Sequence, residues 1–387
     1  MLMRQDGGPP VNHPVSKEAK LKNVGLALFL VLSVCCWNPT DVAQCRVEET
    51  DCRGWKTLKM FNELVELYIV PEIGGRIIQF VFDGHGYLFV NDSLAGKLLP
   101  YKEGEWNNYG GDKLWPAPQG WDGPHQWPGP GDPVLDGGKF RYRILQAQGN
   151  RASLHLTSPP DNGKTGIQFS RVISLTAGRP EVSLENTMTN VSAREVSWSV
   201  WSVTQIDASN SEGEGYNDRL EFFCALNPRS IFPKKCTVLY GSPDNPAWMP
   251  DSERDIFRGR YNYVVGKAGI DSPGGWLASV DGRTGHVLVQ RYNFFPGKKY
   301  PDDCSVEFWI NGAGSFIAGK ALIQNEPDPE KTPAYLEMEI LSPIVTLAPG
   351  QSYTFKTAWK AMKGGWPALA KETGLKEYLL EEKSHRP

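Results

Sequence analysis

The stretch "EVSWSVWSVTQ", residues 195–205, carries apolar side chains at both odd and even positions. Successive side chains of a strand point to opposite faces. One face would carry Val196, Trp198 and Val200, and the other Trp201, Val203 and Gln205. A strand that is apolar on both faces is buried on both sides. We therefore predict that it crosses the middle of a sandwich beneath a bound loop or ligand, with Gln205 as a binder of hydroxyl groups. The alternative is a core strand whose terminal residue, Gln205, is exposed to solvent.

Segments of period two recur on both sides of this stretch. Examples are "RIIQFVF" (76–82), "EVSLENTMTN" (181–190) and "SYTFKTAWKA" (352–361). Such alternation is typical of antiparallel strands, and no alternation of strands with helices interrupts it. These patterns predict an all-β fold, a large antiparallel sandwich, as one domain over residues 45–387. Helical periodicity is confined to residues 368–382, which predict a short C-terminal helix.

Composition agrees with this class. The 387 residues are 40% hydrophobic and 22% charged, which is enough to bury a large core. The many tryptophans, glycines and prolines (13, 40 and 30) fit short strands joined by elaborate loops. A net charge of −3 gives no electrostatic footprint for nucleic acid, so we expect no nucleic-acid partner.

Residues 1–43 have the pattern of a targeting extension. The apolar run "VGLALFLVLSVCC" (24–36) follows Lys17, Lys20 and Lys22 and is too short for a comfortable membrane span. We predict an exported protein in which this extension is a signal peptide or a membrane anchor. Export permits disulfides, for which the candidates are Cys45 with Cys52 and Cys224 with Cys236, leaving Cys304 over.

Residues 100–138 form the most unusual segment, with four tryptophans, nine glycines and seven prolines. A connection this long without regular structure is usually functional or disordered, and disorder requires few aromatic residues. The segment is therefore predicted to be an ordered loop wrapped onto the sandwich. Within it, "YGGDKLWPAPQGW" (109–121) is no phosphate loop, because Asp112 separates the glycines from Lys113. Trp115 and Ala117 each precede a proline, which favours an extended or turning path.

Residue types that bind sugars are concentrated in this loop. A pyranose offers an apolar face to an aromatic ring and a rim of hydroxyls to amides and carboxylates. The candidates are Trp106, Asn107, Asn108, Tyr109, Asp112, Lys113, Trp115, Gln119 and Trp121. The alternative is that the tryptophans only pin the loop to the sandwich and that Asp112 and Lys113 form a solvated pair.

A second feature is the strand pattern "AYLEMEIL" (334–341). Leu336, Met338 and Ile340 share one face, which we assign to the core. Glu337 and Glu339 then share the opposite face with Tyr335 and Leu341. Glutamate is ordinarily exposed, but these two neighbours favour a partly covered surface or a cleft.

Together these segments resemble a known family. "YIVPEIGGRIIQFVFDGHGYLFVN" (68–91), "WNNYGGDKLWPAPQGW" (106–121), "SWSVWSVTQ" (197–205) and "YLEMEILSPIVTLAPGQSYTFKTAW" (335–359) resemble the DUF4380 family. That family is placed with the galactose mutarotase-like supersandwich proteins. The resemblance covers nearly all of residues 60–360 and implies a supersandwich with a sugar site.

The resemblance also implies roles for single residues. Glu339 best matches the general base of mutarotases, with Glu337 as second choice because the register is uncertain. Mutarotation also needs an acid at the other end of the ring, for which mutarotases use histidines, but the matching regions of this chain, "LDGGKF" and "WSVWSVTQ", contain no histidine. The acid would then be Asp136, Asp112 or Lys113, or be absent.

The sequence leaves several functions open. The leading one is an exported carbohydrate-binding protein that acts on a sugar ring with Glu339 as the base. The others are a non-catalytic binding or sensing module, a glycoside-cleaving enzyme that pairs Asp112 or Asp136 with Glu339 across about 5–10 Å, and interaction through an aromatic loop surface. No cofactor and no metal site are predicted, because neither zinc spacing nor an acidic calcium loop is present in the sequence.

Overall fold

The computed structural model describes residues 44–102, 105–120 and 126–375. The predicted leader (24–36), Trp121 and the end of the predicted helix (376–382) lie outside these residues, so export and cleavage stay predictions. Among the described residues, no helix is long and apolar enough to span a bilayer.

Strands dominate the described chain from its start. The first twelve are β1 (Cys45–Cys52), β2 (Trp55–Phe61), β3 (Val65–Val70), β4 (Arg76–Phe82), β5 (His85–Gly86), β6 (Asp112–Ala117), β7 (Arg141–Gln146), β8 (Gln148–Gly149), β9 (Arg151–Thr157), β10 (Ile167–Thr176), β11 (Glu181–Asn190) and β12 (Val196–Asp207). The strand predicted around Trp198 and Trp201 is thus β12, and only its second residue, Ser197, and its last, Asp207, escape full burial.

The second half continues in the same way. Its elements are β13 (Leu220–Ala225), β14 (Thr237–Tyr240), β15 (Trp248–Asp251), β16 (Ile256–Arg260), β17 (Gly266–Ile270), β18 (Trp276–Asp281), β19 (His286–Tyr292), β20 (Val306–Asn311), β21 (Gly314–Ala318), β22 (Ala321–Asn325), β23 (Tyr335–Leu341), β24 (Val345–Leu347), β25 (Ser352–Lys363) and the helix α1 (Gly365–Thr373).

The strands form two large antiparallel sheets and one small one. The 13-stranded sheet has the order β14-β17-β20-β23-β12-β6-β4-β3-β2-β1-β8, with β24 beside β12 and β5 beside β4. The ten-stranded sheet has the order β15-β16-β13-β18-β19-β25-β11-β10-β9-β7, and β21 with β22 forms a separate hairpin. The all-β sandwich prediction is confirmed.

Between the two large sheets lies the main apolar core. Leu336, Met338 and Ile340 of β23 enter it and are fully buried, as their shared face predicts. Their cross-strand neighbours in β20, Phe308 and Ile310, belong to the same cluster. The opposite face of β23, which carries Glu337 and Glu339, therefore points away from the second sheet.

One prediction about the tryptophan-rich segment is wrong. Residues 112–117 are not part of a loop but form β6, which lies between β12 and β4 in the middle of the large sheet. All six residues are buried, which explains the apolar character of the segment. Pro116 has no backbone N–H to donate to a neighbouring strand. It is tolerated because β4 pairs with β6 only at Ile77 and Asp112, so that no hydrogen bond from Pro116 to β4 is needed.

The C-terminal helix is confirmed with earlier bounds than expected. α1 begins at Gly365, three residues before the predicted start, and ends before Gly374, whose φ of 73° is the left-handed conformation that glycine adopts after a helix. Leu369 packs into a second apolar cluster with residues of β13, β18 and β19. This cluster lies on the outer face of the ten-stranded sheet.

Neither candidate disulfide is formed in the structure. All five described cysteines are free. Cys45 and Cys52 stand at opposite ends of the extended strand β1, roughly 23 Å apart at the rise of a strand, whereas a disulfide requires α-carbons within about 7 Å. Cys224 is fully buried in β13, and Cys236 is half-buried before β14.

Candidate functional site

The outer face of the large sheet carries two parallel rows of polar and aromatic side chains. Cross-strand partners point to the same face of a sheet. One row crosses four strands as Lys113, Val203, Glu339 and Glu307, and the neighbouring row as Gln205, Glu337, Trp309 and Lys267. The sheet thus brings together three carboxylates and two lysines from four strands, β6, β17, β20 and β23.

Aromatic side chains surround a pocket above these rows. Its walls are Trp106, Trp115, Trp201, Trp309, Phe316 and Tyr335. Its polar lining includes Gln119, Lys267 and Glu337. The volume is about 80 Å³, room for a few water molecules and less than the roughly 300–1,000 Å³ of typical ligand sites.

The hairpin β21–β22 closes the pocket from above. It pairs with neither large sheet, and the ring of Phe316 lies 4.7 Å from that of Trp309 in a T-shaped contact. The turn of the hairpin touches the segment that follows β6, because a β-carbon on Gly319 would lie only 2.2 Å from the carbonyl oxygen of Pro130. This hairpin is the part of the pocket wall least connected to the sandwich.

Glu337 is the carboxylate that reaches the pocket. Its Oε1 accepts a hydrogen bond from Gln205 Nε2 at 2.7 Å and lies 3.4 Å from Lys113 Nζ. Burial lowers the pKa of Lys113 to about 8, although the Glu337 carboxylate opposes this shift. The Lys113 ammonium also lies 4.8 Å from the ring centre of Trp115.

Glu339 lies beneath the pocket and is fully buried. Its Oε2 accepts a hydrogen bond from Trp201 Nε1 at 2.7 Å and pairs with Lys267 Nζ at 3.0 Å. The same ammonium lies 2.6 Å from Glu307 Oε2, so that one lysine serves two carboxylates. Burial raises the pKa of Glu339 to about 8 despite Lys267. Burial alone would lower the pKa of Lys267, but the two carboxylates raise it above its usual range.

Several buried polar atoms in this region have no hydrogen-bond partner in the described part of the chain. They include Oε1 of Glu339, Glu307 and Gln205 and the indole Nε1 of Trp106. A buried acceptor without a donor costs about 1–3 kcal/mol, and such atoms in folded proteins call for an explanation. Of these four residues only Trp106 lines the pocket, so that its indole N–H is the group that an oxygen of a ligand would meet. Within the same described ranges, no group of three or more His, Cys, Asp or Glu residues is placed to hold a metal ion.

Asp112 is not part of the site, which corrects its prediction as a catalytic or sugar-binding acid. It is fully buried on the inner face of the sheet, where its carboxylate lies 2.5 Å from Arg171 of the second sheet. Thr204 Oγ1 donates a hydrogen bond to it at 2.7 Å. Lys113, its neighbour in β6, points to the opposite face because strand side chains alternate.

Asp136 is also engaged in the structure rather than presented to the pocket. One oxygen pairs with Arg76 at 2.5 Å and accepts a hydrogen bond from Trp115 Nε1 at 3.0 Å, and the other accepts from the Gly131 amide. Asp136 therefore orients Trp115. With Asp112 behind the sheet and Asp136 bound in this way, neither forms the carboxylate pair with Glu339 that glycoside cleavage would need.

The remaining predicted residues are divided between the pocket and its surroundings. Trp106, Trp115, Gln119 and Trp201 line the pocket, and Gln205 is buried beneath it, where it donates a hydrogen bond to Glu337. Tyr109 instead packs in a separate cluster against Trp55, and Asn107 lines a different depression beside it.

Sequence reasoning missed Lys267, Glu307, Trp309 and Phe316. Only "VEFWIN" (306–311) held a usable signal. Alternation places Glu307 and Trp309 on one face, the same combination of acidic and aromatic residues that marks β23.

Comparison with known proteins agrees with this fold. Residues 56–212 match the family model described as "Domain of unknown function (DUF4380)", which confirms the resemblance over that range. None of the curated proteins matches the sequence.

Three solved structures illustrate the likeness. A "putative mutarotase" from Salmonella typhimurium is 10% identical, with a TM-score of 0.52 and coverage of 82% of this chain and 94% of that chain. A galactose mutarotase-like protein from Clostridium acetobutylicum is 12% identical, with a TM-score of 0.50 and coverage of 83% and 99%. A TPR-domain containing protein from Parabacteroides distasonis is 13% identical, with a TM-score of 0.50; the match covers 80% of this chain but 47% of that longer chain. At these identities the likeness shows the fold alone.

Proposed function

We propose that this protein binds a sugar ring in the aromatic pocket and that Glu337 accepts hydrogen bonds from its hydroxyls. The observation that carries the proposal is a carboxylate inside a pocket walled by four tryptophans. Aromatic faces with a few fixed polar groups are what a pyranose requires. Solved proteins of this fold include some named as mutarotase-like, which also favours a sugar.

Glu337, rather than Glu339, is the candidate for the group that contacts the ring. Glu339 is fully buried and shares its Oε2 between Trp201 and Lys267, whereas Glu337 lines the pocket. A general base must come within hydrogen-bond distance of the proton that it removes. Glu339 instead fixes the positions of Trp201 and Lys267.

The geometry supports binding better than ring opening. Mutarotation needs an acid and a base at opposite ends of the ring. Lys113 has a pKa suited to proton transfer, but it contacts the same Glu337 oxygen and so lies at the same end. Lys267 also lines the pocket, but the two carboxylates that raise its pKa make it a weak acid.

A sugar can enter the pocket only if the residues that close it from above move. The closed pocket of about 80 Å³ is too small for a typical ligand, and the hairpin β21–β22 is the cover with the fewest ties to the sandwich. We propose that this hairpin lifts to admit the ring and then packs Phe316 against it.

Saturation-transfer NMR with a panel of aldoses tests the binding proposal. We expect saturable binding of at least one aldose, and a weaker signal for a Trp115→Leu variant because a stacking face is removed. Anomer exchange measured in the same samples separates binder from enzyme. Equal exchange rates in wild type, Glu337→Gln and Glu339→Gln would show that the protein binds the sugar without catalysing its exchange. Absence of binding across the panel would overturn the proposal.

We also propose that the protein is exported through its apolar segment at 24–36. The support is the combination of a basic stretch and a 13-residue apolar run. N-terminal sequencing of the protein recovered from cell fractions tests this. Recovery of the uncleaved chain from the cytoplasmic fraction would contradict it.

A further inference from the structure

A second pocket lies on the outer face of the ten-stranded sheet, on the opposite side of the sandwich from the aromatic pocket. It has a volume of about 420 Å³, within the range of ligand sites. β13, β16 and β18 form its floor, and the first residues of α1 form one wall. The side chains that matter in it are Arg219, Glu221, Arg258, Arg260 and Trp366.

The charges in this pocket do not balance. Glu221 is buried, and its Oε1 accepts four hydrogen bonds from arginines. Arg258 donates through Nε at 3.1 Å and Nη2 at 2.5 Å, and Arg260 donates through Nε at 3.1 Å and Nη2 at 2.7 Å. One carboxylate thus faces two guanidinium groups. Among the described residues that line the pocket, the only other acidic one is Asp218, which is paired with Arg283 at 2.7 Å.

A third arginine adds to this excess. The side chain of Arg219 is exposed at the pocket and makes no ion pair or hydrogen bond with any other described residue. The side chain of Arg260 is 51% exposed. Guanidinium forks of this kind bind carboxylates and phosphates with two parallel hydrogen bonds.

The wall of the pocket is suited to the rest of such a ligand. Trp366 is half-buried and packs edge-on against Phe223, and the Arg258 guanidinium lies 5.3 Å from its ring centre. Gly282, Gly285 and Gly365 line the opening, so that backbone without side chains borders it. A flat or apolar group therefore has an aromatic surface next to the cationic groups.

We infer that this pocket binds a small organic oxyanion, whose charged group is held by Arg219 and Arg260 and whose remaining part lies against Trp366. The site is separate from the sugar pocket and does not depend on its function. The charged group is a carboxylate or a phosphate, which the arginine forks recognise in the same way.

Calorimetric titration of the full chain tests this inference, with phenyl phosphate and benzoate as probes and benzyl alcohol as the neutral control. We expect saturable binding of at least one anion, which weakens as salt is added, and no binding of the alcohol. Arg219→Gln and Arg260→Gln should each weaken binding about tenfold or more, since a hydrogen bond to a charged group is lost. The Arg219 side chain has no partner among the described residues that its loss would leave unpaired, so its variant should fold normally.

The matched control is Arg229→Gln, which removes one exposed positive charge elsewhere on the surface. It should change the affinity less than about twofold, since a distant charge is screened at physiological salt. Glu337→Gln should leave anion binding intact, which separates this site from the sugar pocket. Failure of both anions to bind wild-type protein, or affinities unchanged in Arg219→Gln and Arg260→Gln, would overturn the inference.

Discussion

Asp112 and Lys113 are neighbours in β6, both are buried, and each contacts an opposite charge, but they belong to different regions of the molecule. Asp112 faces the second sheet, where Arg171 and Thr204 hold it. Lys113 faces the aromatic pocket and contacts Glu337 at a longer distance. The first region joins the two sheets, and the second lies under the aromatic pocket. Burial of charge alone therefore does not identify a functional site.

The outer region contains groups whose charge changes near neutral pH. On the outer face, burial brings the pKa of both Lys113 and Glu339 to about 8. Groups that titrate near neutral pH are typical of functional sites, although buried ion-pair networks can also produce them.

Loss of the inner charge should have the largest effect on stability. Asp112→Asn leaves the guanidinium of Arg171 buried without a counter-charge, which costs about 3–5 kcal/mol of unfolding free energy. Urea denaturation measures this loss. The double variant Asp112→Asn with Arg171→Met should recover much of it, because no unpaired charge remains. A loss below about 1 kcal/mol for the single variant would show that the pair does not join the sheets.

The pH dependence of stability should come next in size. Burial raises the pKa of Glu339 to about 8, so the folded state holds a proton that the unfolded state releases near pH 4.5. The unfolding free energy should therefore fall as the pH rises from about 5 to 7.5, by about 3 kcal/mol from this group. Glu339→Gln should flatten that slope in urea titrations. The same slope in both proteins would contradict the assignment.

Removal of the outer partner should have the smallest effect on stability. Glu337→Gln should cost about 1 kcal/mol at pH 7, because Lys113 can release its proton. At pH 9 the loss should be smaller still, whereas the loss in Asp112→Asn should not change between these pH values. Parallel denaturation curves for both variants at the two pH values check this contrast. An equal, pH-independent loss in both would remove the distinction between the regions.

Much of the fold followed from local alternation, but the composition of the site did not. The parity of "AYLEMEIL" correctly separated the core face from the glutamate face. The exposure usual for glutamate did not hold, because the hairpin β21–β22 and the side chains of Trp201 and Trp309 cover that face. The same parity in "DKLWPA" would have put Leu114 and Asp112 on the core face. Treating the segment as a loop concealed this.

Lys267 could not have been found by such reasoning. It reaches Glu339 through β20, and the order β17-β20-β23-β12-β6 depends on pairings between strands that are distant in the chain. Register between distant strands is set by the packing of the whole sheet rather than by local pattern. The arginine pocket is equally non-local, because β13, β16, β18 and α1 each contribute to it.

Calorimetric titration of the best-bound aldose into wild type, Glu337→Gln and Glu185→Gln tests whether the sugar ring binds at Glu337. Glu185 is an exposed glutamate of β11 on the other sheet and serves as the matched control. We expect saturable binding that weakens about tenfold or more in Glu337→Gln and is unchanged in Glu185→Gln. Equal affinities in all three proteins would contradict it, because the ring would then bind away from the outer face of the large sheet.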